Sequence, residues 1–226
     1  MSAATVYTPH AVGCRAARRK VARRSCAWTR PPTCATPAES LALLLASPPD
    51  LHSAGPAVAD AVEVVVRDAR PVSSIADVLA ASDGRWEVIY APHIQRLTAP
   101  FAMTTKPLRY EFSGGGSRIR SDVRYASPLV GKGWFCAEGR LQARPGEQAV
   151  DVLFDSFWLA TGEAPGPNPL TSGAPVSWTD ALVQAIGTAF FFPQLSRFPV
   201  VLVDPDVRLA VFEFPPLSTT IVAKRV

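Results

Sequence analysis

From residue 84 the hydrophobic pattern has a period of two, and no βαβ unit interrupts it; this most constrains the fold. Asp83-Gly84 is a turn dipeptide that opens directly into Arg85-Trp86-Glu87-Val88-Ile89-Tyr90. Trp86, Val88 and Tyr90 fall on one face of this strand, and Arg85, Glu87 and Ile89 fall on the other. Further alternating runs follow at Leu108–Phe112, Arg118–Ala126, Gly133–Ala143, Gln148–Leu159, Pro199–Val203, Val207–Phe214 and Thr219–Lys224. Gly114-Gly115-Gly116, Pro145-Gly146 and Pro215-Pro216 mark turns between them. About eight strands joined this way predict an antiparallel sheet closed on itself, with room inside for one small ligand. Gly-x-Trp suits the closed end of such a barrel, where glycine turns the chain and the indole plugs the bottom. A chain of this kind is expected to hold something apolar rather than to do chemistry on it.

Alternation divides the candidate residues by face. Trp86, Val88, Tyr90, Ile119, Val123, Tyr125, Val152 and Phe154 are the expected lining of a ligand cavity. Arg118, Arg120 and Arg124 alternate with them on the outer side. They form either a solvated face or a basic stripe that meets anionic lipid head groups. Asp204-Pro205-Asp206-Val207-Arg208 places two carboxylates around a proline turn and an arginine at the next strand. Gly84, Trp86, Asp204, Asp206 and Arg208 are the expected barrel closure. Arg208 would pair with one of the aspartates or lie on the ring of Trp86.

Two helical regions flank or interrupt the strands. Residues 36–82 form a helical lead-in, with a leucine-rich segment from Pro37, an amphipathic stretch over Ala57–Ala69 and a short helix over Ile75–Ala81. The Gly/Pro-rich stretch Ala160–Pro175 reads as a loop. It leads into a helix from Ser177, with Asp180 three residues on in a capping arrangement. That helix either covers a barrel mouth or packs on the wall.

Charge is unevenly spread. Seven of the 23 basic residues lie in the first 35 positions, before the first carboxylate at Glu39. The remainder carries 16 basic against 19 acidic residues, a net of −3, so a general affinity for nucleic acid is not expected. Residues 1–35 are basic, free of acids and rich in Ser, Thr, Ala and Pro, the composition of an organelle transit peptide. Its removal takes Cys14, Cys26 and Cys34 and leaves Cys136, a small core residue in a strand-like run. His52 and His93 lie in separate segments without metal-ligand spacing, and His93 reads as a surface residue. No catalytic set, metal site or cofactor is expected, and no run is long and apolar enough for a transmembrane helix.

The order Gly84-x-Trp86…Tyr90, then Arg120-Ser121-Asp122-Val123-Arg124-Tyr125, then Asp204-x-Asp206-x-Arg208 resembles the plastid lipid-associated protein, or fibrillin, family over roughly residues 60–226. The resemblance implies a lipocalin-like barrel over 83–226, behind the lead-in at 36–82 and the transit peptide at 1–35. It further implies a chloroplast protein at plastoglobules or thylakoids that binds or organises isoprenoid lipids, carotenoids or prenylquinones. The strand after Arg208 departs from the usual basic, glycine-containing continuation, and the 160–175 loop is distinctive. Two other readings stand beside this one. A structural coat would meet a lipid surface without an internal ligand. An enzyme on a calycin-type barrel would need an inward polar cluster that the sequence does not provide.

Overall fold

The computed structural model describes residues 36–51, 54–129, 131–173, 176–190 and 196–226. The expected transit peptide, His52 and residues 191–195 lie outside the described residues. Eight antiparallel strands follow one another around a closed barrel. They are β1 (Gly84–Tyr90), β2 (Thr104–Ser113), β3 (Arg118–Ser127), β4 (Gly131–Ala143), β5 (Ala149–Ala160), β6 (Arg197–Asp204), β7 (Leu209–Phe214) and β8 (Thr219–Arg225). The pairing of β8 with β1 closes the ring. The expected fold class is what the chain forms, a mainly-β, lipocalin-like antiparallel barrel with N-terminal helices and the expected inserted helix, to which a second, short inserted helix after β1 is added.

Helices α1 (Pro37–Ala46), α2 (Pro56–Asp68) and α3 (Ile75–Ala81) precede the barrel, α4 (Pro92–Thr98) follows β1, and α5 (Trp178–Phe190) stands between β5 and β6. α1 begins in a capping box, in which Thr36 and Glu39 satisfy each other's backbone N–H groups. α5 begins after Ser177, whose hydroxyl accepts from the Asp180 N–H at 3.1 Å.

Three apolar clusters hold these parts together. The first fills the barrel and includes Trp86, Val88, Leu108, Phe112, Ile119, Val150, Phe212 and Ile221. α3 leads into the start of β1 and closes one end of this cluster with Ile75 and Leu79. Gly116, at φ 71° in the β2–β3 turn, lets the backbone of Leu79 approach to 2.5 Å of where a Cβ would stand. Asp83 ties the same end shut by accepting from the N–H groups of Gly115 and Gly116 at 2.9 and 2.8 Å. α4 leaves the far end of β1, where Ala91, Ile94 and Leu51 join the cluster. The second cluster lies outside the wall, where α1 and α2 cover Ile89, Leu209, Val211 and Val222 of β1, β7 and β8. Lys224 fixes this cover by donating to the carbonyls of Leu45 and Ser47 at the end of α1. The third is on the outer face of β4 and β5, where Trp134, Cys136 and Trp158 pack together.

Candidate functional site

The interior is nearly filled. Ile119, Val152 and Phe154, all expected cavity residues, line an internal void with Tyr110, Leu141 and Phe198 among others; its volume is about 50 Å³. Burial pushes the Tyr110 hydroxyl up to about 12, as an apolar surrounding demands. Trp86, Val88 and Val123 belong to the packed core rather than to the void wall. Tyr125 is buried against Gly133, which has only a hydrogen where a Cβ would stand 2.9 Å from the phenol oxygen. A dry cavity of about 150 Å³ accepts benzene. A void of 50 Å³ is too small for a quinone ring or a carotenoid end group.

Tyr90 departs from the expected inward set. The β1–β8 register slips between Val88 and Tyr90, and this bulge turns Tyr90 toward the outer cluster under α1 and α2. Strict alternation cannot register an inserted residue, so the expected direction reverses there.

The closure is also built differently from the expectation. Trp86 is fully buried, and its indole N–H donates to the Ser82 carbonyl at 2.9 Å. Arg208 is an exposed turn residue with φ 65° that donates to the Arg225 carbonyl at 3.0 Å. Asp204 accepts from the N–H groups of Asp206 and Val207, both at 2.9 Å, and so serves its own turn rather than the guanidinium. Beside Arg208 at the closed end is Arg225, which pairs with Trp86 across β1 and β8 and donates to the carbonyl of Asp83. Gly84 gives it room, because a Cβ there would stand 3.3 Å from the guanidinium.

The expected basic stripe is engaged by the protein itself. Arg120 bonds both carboxylate oxygens of Asp122 at 3.0 and 3.1 Å and the Gly166 carbonyl at 2.7 Å, and its guanidinium stands 5.2 Å over the Trp158 ring. Arg124 pairs with Glu163 at 3.1 Å and stands 5.7 Å over Trp134; Arg109 approaches the same ring at 5.9 Å. Asn168, itself buried, donates to Glu138 at 3.0 Å. The Gly/Pro-rich loop is thus a strap drawn over the third cluster. Beneath it, burial and the adjacent Asp122 carboxylate push the Cys136 thiol upward, the setting of an inert core cysteine. Arg118 alone of the three stripe arginines is exposed.

α5 carries an outward apolar face. β6 pairs with β5 only over Ala149–Asp151, which leaves the rest of that β5 edge to the helix. Gln184 stands in for the missing strand, accepting from the Phe157 N–H at 2.6 Å and donating to the Asp155 carbonyl at 2.8 Å. Gly187 lies against the Phe157 ring, where a Cβ would come within 2.3 Å. The opposite side holds Trp178, Leu182 and Ile186, spaced by four and 77%, 51% and 47% exposed. The helix has one carboxylate, Asp180, and no basic residue.

No family model, curated protein or solved structure matches this chain.

Three features of the site were not anticipated from the sequence. α4 falls at Pro92, where proline at a first helical turn was the available signal. It carries His93 inside, stacked on Phe214 at 4.7 Å with Nδ1 2.9 Å from the Thr219 hydroxyl. Burial, with help from the Arg96 charge, pushes this imidazole down to about 4. Arg225 gave no signal, since its role depends on closing β8 onto β1. Among the described residues no cluster of His, Cys, Asp or Glu is arranged to hold a metal ion.

Proposed function

We propose that the protein is a peripheral lipid-surface protein that works as a coat or organiser and lays the outer face of α5 on the lipid. The observation that carries this reading is the exposure of Trp178, Leu182 and Ile186 on a helix held to the barrel by its other side. An indole at the start of an apolar helical face is suited to the boundary between water and hydrocarbon. With no cation on α5, the fitting surface is neutral or zwitterionic rather than strongly anionic. The filled interior favours a coat over an internal carrier. The fibrillin-like motif order supports a plastid setting, where plastoglobules and thylakoids offer such surfaces and hold isoprenoid lipids, carotenoids and prenylquinones.

The test is flotation with phosphatidylcholine liposomes. The full chain is expected to float, and the triple variant Trp178→Ser, Leu182→Ser, Ile186→Ser to stay in the dense fraction with its circular dichroism unchanged. Flotation that survives this variant but is lost on neutralising Arg118 would move the contact to β3. Saturable quenching of tryptophan fluorescence by a prenylquinone would restore the carrier reading.

A further inference from the structure

The bulge that turns Tyr90 out of the barrel delivers it to an external groove of about 410 Å³, within the range of about 300–1,000 Å³ usual for small-molecule sites. Val62 and Val66 of α2 form its apolar side with Tyr90 and Pro92. Arg67 lines the groove from α2, with its Nε 3.4 Å from the neighbouring Asp68 carboxylate, and Arg96 lines it from α4, so two arginines border one groove from two separate helices. Ser218, just before β8, and Thr220 within it add hydroxyl groups along the remaining edge, beside Thr219, whose hydroxyl is bonded to His93. Glu63 is the one carboxylate in the lining. The groove therefore has a hydrocarbon wall, two bordering arginines and several hydrogen-bond donors. Burial and the Glu63 charge raise the Tyr90 phenol while Arg96 lowers it, so both charges act at the same hydroxyl.

We infer that this groove binds a single-chain amphiphile with a phosphate head, the head between Arg67 and Arg96 and the chain along Val62, Val66 and Tyr90. Two guanidiniums with neighbouring hydroxyls match the several acceptor oxygens of a phosphate better than a single point charge would. The groove exceeds the interior void by about eightfold in volume, so a small amphiphile is accommodated here and not inside the barrel. Glu63 lies beside the head and opposes its charge. The inference is independent of the surface role of α5. The groove is on the β8–β1 side, and α5 packs on β5, four strands from β1 and three from β8 around the ring.

Calorimetric titration of the full chain with dodecyl phosphate, below its micelle concentration, tests this. Saturable one-to-one binding is expected, with inorganic phosphate weaker by about tenfold or more because the chain contributes through burial. Arg96→Gln and Arg67→Gln should each weaken dodecyl phosphate by roughly tenfold, and Glu63→Gln should strengthen it several-fold. These side chains are exposed, so all three variants are expected to fold, as checked by an unchanged thermal midpoint. The triple α5 variant should bind dodecyl phosphate as the parent does. Absence of saturable binding overturns the inference, as does binding unaffected by both arginine substitutions. Tighter binding of dodecyltrimethylammonium, or weakening by Glu63→Gln, overturns it in favour of a cationic head. Loss of binding in the α5 variant overturns the placement of the site.

Discussion

Gly187 shows how much a single hydrogen decides. In a helix, alanine is favoured over glycine by about 1 kcal/mol on propensity. Here a Cβ would meet the root of the Phe157 ring at 2.3 Å, and that ring is buried and stacked against Phe135. The clash outweighs propensity, so Gly187→Ala is expected to destabilise by about 1–3 kcal/mol, read as a lower urea midpoint. His93 offers a second test, and its sign follows from which form each state prefers. Its folded value is near 4 against an ordinary 6.5, so between those values the unfolded chain takes up the proton and the folded one does not. The stability it contributes is fully present above about pH 6.5 and is lost as pH falls through that window toward 4. His93→Gln keeps a polar partner for Thr219 and should flatten this part of the stability profile relative to the parent.

Among the elements, the strap over β3, β4 and β5 depends most on paired charge. Arg120 holds Asp122, reaches Glu138 at 3.4 Å and also donates to the Gly166 carbonyl. Removing the guanidinium leaves the buried Asp122 carboxylate without its counterion. Arg120→Met is therefore expected to cost about 3–5 kcal/mol in urea unfolding and to expose Trp158, seen as a red-shifted emission. Arg118→Met, on the same strand but exposed, should stay within about 0.5 kcal/mol of the parent. The contrast shows what alternation reports. It separated Arg118, Arg120 and Arg124 from Ile119 and Val123 correctly, because pleat geometry is local. It could not show that a loop some forty residues later returns to cover two of the three. Likewise, proline and glycine marked 160–175 as irregular, while the Arg120, Glu138 and Asn168 contacts that fix its path are long-range.

For the molecule as a whole, strand number and turn spacing were legible because each strand carries its own period and its own punctuation. The interior volume was not legible. It depends on how Phe112, Phe154, Phe198 and Phe212 fill the shared space, and on α3 and α4 closing the ends. The part of Arg225 at the closed end was not legible for a related reason: it depends on the β1–β8 register, which pairs the first and last strands. That same pairing has a temporal side. As the chain is synthesised, β2 to β5 can zip as neighbouring hairpins, but β1 and β7 remain open edges until residues 219–225 emerge. α1 and α2 are made first, yet the floor they pack on combines β1 with β7 and β8. The earliest described helices are therefore the last to find their place, and until then their apolar side is open to whatever chaperone or surface is near.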